Sequence, residues 1–457
     1  MEPNVKKSRI LAYKRENRKI ERIFGINNHC MTGNTNEGSF LTDFLVLAPI
    51  MNVFVLWILA NAIKKGIRHL YFLSRDGYPA FIVASRYCKE WNLDVECHYL
   101  YCSRFALRMP MYSYDVKEAI EYICGRGMHV TWEKIFGRAG MNKTEMRSVL
   151  DNFNENIDTE KELLYSELRD AKKLLENSKE FVELLTNKSK KEWDMLYGYF
   201  KQEGLFSSDE IAIVDSGWIG TIQKSICDIR RRGGCSSDLV GFYFGLYDIP
   251  LRSDMKTYQS FFFTPKKGLL NKVFFSNCFY ETVFSDSCGI TMRYEKEGTN
   301  FVPVLAGTNI SNEKKISDIN EELIKYADLV INNMESDKLT DIQFDKLKKV
   351  IGKMIKMITW NPTMEEVNYY GTLVFSDGLL DEEKQELARL LSKRELRSNH
   401  LFTKIYTFLG SLKDNVTESA WYEGSAVRSG DLFRIHRINY LLYKMFVNIK
   451  FLFRGMK

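Results

Sequence analysis

The fold is decided by two stretches of sequence, LYFLSRDGY at residues 70–78 and IAIVDSGWIGT at residues 211–221. Each begins with four apolar residues, several of them aromatic or β-branched, a pattern typical of a strand buried on both faces of a sheet. Each then continues into a polar, glycine-containing turn that can open a helix. Ligands of open α/β sheets bind beyond the carboxyl ends of the strands, where such turns lie. The two stretches therefore predict an α/β protein with a polar site built from both turns.

The residues before the first stretch predict a helix and the start of its strand. An apolar run from Pro49 to Lys65 ends at Gly66, which is typical of a helix with a glycine cap. The overlapping run at 44–62 approaches the length of a membrane span, but a proline and two asparagines interrupt it. We therefore predict a buried helix packed on the sheet, followed by a strand from Ile67 to Leu73.

The rest of the chain divides by its pattern into helices and strands. Further helices are predicted at 79–90 and 221–232, and further strands at 95–101, 239–246 and 258–263. The charged, helical sequence at 116–204 is too long for a loop in a compact sheet, so it predicts a helical insertion. Four regions are expected: a basic N-terminal segment (1–40), a Rossmann-like α/β domain (41–300) with the insertion at about 112–205, a mostly helical region (301–425) and a basic amphipathic C-terminal helix (426–457).

The composition of the 457 residues is that of a globular protein with a net charge of +6. The nine cysteines are odd in number and form no CxxC pair, so reduced thiols in a cytoplasmic protein are expected. The six histidines are scattered and none sits at ligand spacing from another, which disfavours a zinc site. Basic residues are concentrated at both chain ends, where they favour an anionic surface or simply solubility, and no nucleic-acid partner is expected.

Polar side chains follow the first strand and the strand after it. The first turn offers a hydroxyl, a guanidinium, a carboxylate and a glycine that allows close backbone approach: Ser74, Arg75, Asp76 and Gly77. The alternative is a structural turn in which the carboxylate caps the next helix. Ser103 and Arg104 end the strand at 95–101 in the same way, with a surface turn as the alternative.

The second turn carries a stronger signal for a ligand. Asp215 ends a buried strand, where a carboxylate is costly unless it meets a metal, a cation or backbone donors. Gly217, Gly220 and Thr221 then lead into a helix and can cradle phosphate through main-chain N–H groups. Glu281 lies in an aromatic neighbourhood and would complete an acidic pair, or equally serve as a satisfied core carboxylate.

These motifs, in the runs 57–78, 101–104 and 211–223, resemble predicted hydrolases of the haloacid-dehalogenase (HAD) superfamily from bacterial surface-polysaccharide gene clusters. The resemblance covers roughly residues 40–300. It implies a HAD-like, Rossmann-like three-layer sheet in which Ser74 is the phosphate-binding hydroxyl and Asp215 the magnesium-binding acid. The sequence departs from the family because it contains no DxDxT turn, so the nucleophile of an aspartyl-phosphate mechanism is missing.

A second resemblance, to type I phosphoribosyltransferases, rests on the same two turns. In that family one loop holds pyrophosphate and the other the ribose phosphate. This sequence has the single Asp215 where the family usually shows two adjacent acids, and the two turns are further apart.

The resulting expectation is a protein of surface-polysaccharide biosynthesis that binds or acts on a phosphorylated sugar or nucleotide-sugar. As an enzyme it would use Mg²⁺ on Asp215, with Asp76 as a second acid or base; as a non-enzyme it would be a scaffold for other polysaccharide enzymes. The apolar, aromatic and cationic sequence from Leu432 onward predicts a helix lying on an anionic membrane at its inner face. The alternative is a terminal helix docked on the protein itself.

Overall fold

The computed structural model describes residues 3–27, 41–125, 130–153, 157–207, 210–307, 311–376, 384–408, 419–430 and 432–454. Its strands are β1 (His69–Leu73), β2 (Glu96–Leu100), β3 (Ile211–Trp218), β4 (Val240–Leu246), β5 (Tyr258–Phe263), β6 (Thr291–Glu297), β7 (Asn300–Leu305), β8 (Val374–Ser376) and β9 (Lys384–Glu386). Residues 28–40 of the expected basic segment, and 431 and 455–457 of the expected C-terminal helix, lie outside the described residues.

Helices make up most of the remaining described chain. In order they are α1 (Pro3–Ile23), α2 (Ala48–Lys65), α3 (Tyr78–Glu90), α4 (Arg104–Arg108), α5 (Val116–Ile123), α6 (Trp132–Arg138), α7 (Lys143–Leu150), α8 (Tyr165–Asn177), α9 (Lys179–Gln202), α10 (Thr221–Arg232), α11 (Leu269–Phe274), α12 (Asn277–Val283), α13 (Glu313–Ile331), α14 (Phe344–Ile355), α15 (Met364–Tyr370), α16 (Lys393–Ser398), α17 (Leu401–Phe408), α18 (Tyr422–Ser429) and α19 (Phe433–Arg454). A π-helical turn at Asp43–Leu47 precedes α2, and short 3₁₀ or π segments follow α4 and α14 and precede β5 and α14.

A five-stranded parallel sheet with the strand order 2-1-3-4-5 forms the centre of the fold. The predicted strands and helices around both motif stretches are confirmed, and Gly66 caps α2 in the left-handed conformation with a φ of 70°. The order reverses between β1 and β3, so a crevice opens at their carboxyl ends, where doubly wound sheets bind ligands.

Helices cover both faces of this sheet, because its strands are apolar on each side. One face, which includes Phe72, Val214 and Phe244, packs into a large core with α2, α3 and α13. The other face, which includes Leu73 and Ile213, packs with α9 and α10. The chain is therefore an α/β protein with a buried parallel sheet, as the sequence predicts.

The helical insertion forms a core of its own. Ile120, Phe136, Val149 and Phe181 from α5, α6, α7 and α9 are buried together, apart from the cores of the sheet. The region at 301–425 is mostly helical and also contains most of β7 and the antiparallel pair of β8 and β9. Strands β8 and β9 have three residues each, too few for a period to show in the sequence.

Helix α2 and the turn before it are the part of the described chain that is long and apolar enough to cross a membrane. Most of this stretch, Asp43–Lys65, is buried inside the protein. Asn52, which interrupts the apolar run, donates from Nδ2 to two backbone carbonyls and accepts a hydrogen bond from Tyr87, 2.7 Å away. The polar interruption thus has its partners within the protein.

The two basic ends of the chain contact the body of the protein. Arg9 of α1 pairs with Glu366 at 3.0 Å, and Tyr13 is fully buried. In α19, Lys444 pairs with the buried Glu423 at 2.9 Å, and Arg437 donates to the Trp360 carbonyl at 3.0 Å. One face of the C-terminal helix is therefore docked on the protein, which is the alternative reading of its sequence.

Candidate functional site

A cavity of about 460 Å³ lies at the carboxyl end of the sheet, beside the point where the strand order reverses. The turn after β1 lines it with Ser74, Arg75 and Asp76, and the turn after β2 contributes Ser103 and Arg104. The second motif stretch contributes Trp218 and Ile222, and α12 contributes Asn277, Glu281 and Thr282. The β1 turn and the end of β3 thus meet at one sheet edge. However, β3 runs on to Trp218, so Asp215 lies inside the strand rather than ending it as predicted. The lining residues do not include the predicted ligand residues Gly77, Asp215, Gly217, Gly220 and Thr221.

Three carboxyl groups belong to this site and are linked through the second motif. The Ser216 hydroxyl donates to Asp76 at 2.9 Å, which joins the β1 turn to the end of β3 next to Asp215. The indole N–H of Trp218 donates a short hydrogen bond to Glu281. Trp218 adopts a φ of 73°, so its unusual backbone directs the ring toward α12.

Burial and mutual repulsion make these carboxyl groups hard to ionise. Burial raises the pKa of Asp215 to about 7, and the neighbouring Asp76 adds to the rise. Burial, followed by repulsion from Asp76, raises the pKa of Glu281 to about 8. Burial also raises the pKa of Asp76, although the Ser216 hydrogen bond opposes it. At neutral pH the site therefore holds protons as well as negative charge.

Two guanidinium groups offset the acids. Arg104 favours the ionised form of all three carboxyl groups, and Arg75 does so for Asp76. Arg104 is exposed at the start of α4, and the Ser103 hydroxyl caps this helix by accepting from the Ala106 N–H at 3.0 Å. An anionic ligand in the cavity would meet positive charge from two strand ends.

Several predicted ligand residues have structural partners. The Ser74 hydroxyl donates to the Cys102 carbonyl at 2.9 Å and accepts from the Cys102 N–H at 3.0 Å, which ties β1 to β2. The Ser103 hydroxyl also donates to the Thr291 carbonyl at 2.6 Å. Both hydroxyls therefore hold the turns in place before any phosphate is considered.

The glycines and the threonine of the motifs are placed by the backbone. A Cβ on Gly77 would lie 2.5 Å from the Leu73 carbonyl oxygen, and one on Gly217 would lie 2.2 Å from the Gly245 carbonyl oxygen. Gly220 begins α10 with a φ of 69°, and Thr221 is the first residue of that helix. Close backbone approach requires glycine at positions 77 and 217, and the left-handed φ favours it at position 220. The residues here that line the cavity are Trp218 and Ile222.

Other polar groups of the site carry weak or no sequence signals. The sequence offered Glu281 as one of two alternatives and gave no role to Trp218; their tertiary contact shows that both belong to the site. The hydroxyls of Thr291, which lines the cavity, and of Tyr280, which lies near Asp76 and Asp215, are buried without a hydrogen-bond partner in the protein. Unpartnered buried hydroxyls at a polar cavity point to water or a ligand.

The donor set at this site suits a hard cation. Carboxylate oxygens are the ligands that Mg²⁺ prefers, and Asp76, Asp215 and Glu281 supply them where burial and repulsion already favour a neutralising charge. The three acids thus supply the donor type that Mg²⁺ prefers. Among the described residues, the one group of three metal-ligand side chains whose ligand atoms lie close enough together to hold an ion is elsewhere, at His69, Glu96 and His98.

A scan against protein-family models and a search of curated proteins each find no match to this chain. The fold and the site by themselves define the class: an α/β protein whose parallel sheet carries an acid- and arginine-lined cavity at its switch point.

Proposed function

We propose that this protein binds and acts on a phosphorylated sugar or nucleotide-sugar, as a HAD-like protein of surface-polysaccharide biosynthesis. The observation that carries the proposal is the convergence of Asp76 and Glu281 with two guanidinium groups on one cavity at the sheet's switch point, with the buried Asp215 near Asp76. The cavity of about 460 Å³ suits a sugar phosphate, since small-molecule sites range over roughly 300–1,000 Å³. The substrate class and the biosynthetic setting come from the sequence resemblance.

The site residues fall into two groups, those that bind phosphate or its metal ion and those that transfer protons. Arg75 and Arg104 bind the phosphate, because guanidinium groups form paired, charge-assisted hydrogen bonds to its oxygens. Glu281, with a pKa of about 8, is protonated at neutral pH and donates a proton to the leaving oxygen. Asp215 would hold Mg²⁺, which supplies charge neutralisation on the phosphate when bound.

A hydrolase of this kind proceeds without the aspartyl nucleophile of HAD phosphatases. The DxDxT turn is missing from the sequence, so the attacking group is water or a second substrate rather than an enzyme carboxylate. Asp76, held by Ser216 and next to Asp215, is placed to accept a proton from it. If the protein activates no attacking group, the same cavity only binds the sugar phosphate, and the protein is a scaffold subunit.

The phosphoribosyltransferase alternative gains one specific observation. The two turns end β1 and β3, which are directly paired, so a pyrophosphate and a sugar phosphate could lie side by side. That reading predicts that inorganic pyrophosphate stabilises the protein more than glucose 1-phosphate does. The HAD-like reading predicts the reverse order, together with release of phosphate from a sugar phosphate.

The decisive experiment is a thermal-shift and turnover assay with glucose 1-phosphate, UDP-glucose and pyrophosphate, with and without Mg²⁺. In an enzyme, Asp215→Asn abolishes turnover and keeps binding. Binding that needs no metal and survives Asp215→Asn, without turnover by the wild type, favours the scaffold. Asp228→Asn, on α10 and paired with Lys224 at 2.7 Å, is the control and leaves both readouts unchanged. Failure of all three compounds to bind would refute the proposal.

We also propose that the outer face of α19 contacts an anionic membrane. Its inner cations are engaged by the protein, but Ile435, Ile438, Leu442, Phe446 and Ile449 form an exposed apolar stripe. Their spacing of three and four residues places them on one side of the helix. Arg434, which is exposed at the start of this helix, adds positive charge. This arrangement suits shallow insertion into a membrane interface, where lipid-linked sugars are built.

Flotation of the full chain with anionic vesicles at low salt tests the membrane proposal. Leu442→Ser with Phe446→Ser should move the protein to the soluble fraction. Leu251→Ser with Met255→Ser, which removes exposed apolar side chains elsewhere, should leave flotation unchanged. A wild-type chain that stays soluble on these vesicles would rule out membrane contact.

A further inference from the structure

The amino end of the sheet holds a cluster of metal-ligand side chains that the cavity does not use. His69 begins β1 and pairs in register with Glu96, which begins β2; Tyr71 pairs with His98. Residues two apart in a strand point to the same face, so both histidines and the glutamate lie on one side of the sheet. His69 stands about 13 Å from Leu73 along β1, so the cluster is separate from the cavity.

The distances within this cluster lie on both sides of those between the ligands of a single small ion. Nδ1 of His69 lies 3.1 Å from Nε2 of His98. The Glu96 carboxylate lies 3.4 Å from Nδ1 of His69 and 3.9 Å from Nε2 of His98. With bonds of about 2.0–2.2 Å, a tetrahedral Zn²⁺ site places its donor atoms about 3.3–3.6 Å apart.

The surroundings hold one histidine ring in position and favour a cation. The His98 ring stacks on Tyr71 with ring centroids 4.7 Å apart, and the Tyr71 hydroxyl donates to the Glu203 carbonyl at 2.6 Å. The Glu203 carboxylate adds negative charge near His98. The nearby Arg68 is engaged by Asp94 at 3.5 Å.

Partial exposure leaves room for the remaining ligand. The side chains of His69 and His98 are 32% and 24% exposed, so solvent reaches the point between them. Three protein ligands and a water complete the four-coordinate shell that zinc adopts in open sites.

A second histidine pair in the described chain provides the comparison. Nε2 of His400 lies 2.8 Å from Nδ1 of His436, a distance that a hydrogen bond between neutral rings explains. The charged neighbour of His400 is Arg397. Burial, followed by the nearby His436 and Arg397, lowers the pKa of His400. The pair at His69 differs because it includes a carboxylate in place of a cation.

We propose that His69, Glu96 and His98 form a binding site for a divalent transition-metal ion, best suited to Zn²⁺, that clamps the edge strand β2 to β1. The ligand set of two imidazoles and one carboxylate is that of zinc and its neighbours rather than of Mg²⁺ or Ca²⁺. The clamp joins the outermost strand to its only partner in the sheet among the described strands.

Calorimetric titration of the metal-stripped full chain with Zn²⁺, and visible absorption with Co²⁺, test the proposal. The wild type should bind one ion per chain with the intense d–d absorption of four-coordinate Co²⁺. His98→Ala and Glu96→Gln should each weaken Zn²⁺ binding at least about tenfold. His400→Ala, which removes the comparison pair, should keep the wild-type affinity.

Two outcomes would overturn the site. If the His69→Ala/His98→Ala double variant binds Zn²⁺ as tightly as the wild type, the ion binds elsewhere. If the wild type shows no saturable Zn²⁺ binding, the two histidines form only a hydrogen bond. Because Glu96 is exposed, Glu96→Gln keeps the fold, so a loss of binding there is a loss of a ligand. Circular dichroism of each variant checks the fold directly.

Discussion

The two ends of the parallel sheet concentrate ionisable groups in different ways. At the carboxyl end, Asp76 comes from a turn, Asp215 from the last part of β3 and Glu281 from α12, and burial raises the pKa of all three carboxyl groups. At the amino end, His69 and Glu96 belong to the strands themselves and are partly exposed. Elements that meet at the end of a sheet can bring like charges together, which costs stability. The register of two paired strands instead places unlike side chains next to each other at a small cost. The first arrangement suits a reacting ligand, and the second suits a fixed ion.

The largest expected effect tests the backbone of the carboxyl end. Gly217→Ala places a Cβ 2.2 Å from the Gly245 carbonyl oxygen on the neighbouring strand, at a φ of 119°. We expect a loss of more than about 4 kcal/mol in the free energy of unfolding, measured in urea. Gly234→Ala has a φ of 91° and open space around it, so it should cost only about 1 kcal/mol. Equal losses would mean that close strand approach is unimportant here.

The second prediction concerns the acids of the same end. The pKa of Asp215 is raised from 3.8 to about 7, so the native state binds more protons than the unfolded state between these values. Stability should therefore fall as pH rises through that window, with the full loss present above about pH 7. Asp215→Asn should reduce this slope and stabilise the protein at pH 8 by about 2 kcal/mol. Urea unfolding curves of both proteins from pH 5 to 8 measure this slope. An unchanged slope in the variant would show that another group causes the pH dependence.

The third prediction separates ligand binding from stability. Arg104→Ala removes a guanidinium that faces all three carboxyl groups, and should weaken glucose 1-phosphate binding about tenfold, or about 1.4 kcal/mol. Arg231→Ala, whose side chain pairs with Asp228 at 2.9 Å on α10, is the matched control. Isothermal titration compares them, and similar affinities would remove Arg104 from the site.

The smallest expected effect lies at the amino end. Tyr71→Phe removes the 2.6 Å hydrogen bond to the Glu203 carbonyl but retains a ring against His98. We expect about 1 kcal/mol of destabilisation in urea, with no change in glucose 1-phosphate binding. A change in that binding would show that the two ends of the sheet are coupled rather than independent.

The sequence predicts the elements around each motif well. Apolar runs and glycine punctuation located β1, β3, α2 and α10, because local backbone preferences act within a few residues. The same signals place Asp76 just after β1, but they end β3 at Asp215 whereas the strand continues to Trp218; parallel pairing brings both regions to one end of the sheet. Short strands such as β8 and β9 leave too few residues for a period to show.

The sequence alone determined an α/β protein with two glycine-containing turns at strand ends, since burial pattern and turn chemistry are local properties. The strand order, the entry of Glu281 into the site and the structural use of the Ser74 hydroxyl were decided only by tertiary structure. His69 and His98 stand 29 residues apart, and only the register of two parallel strands brings their rings within 3.1 Å. Distances between residues far apart in the chain depend on packing of the whole core, and no local pattern encodes them.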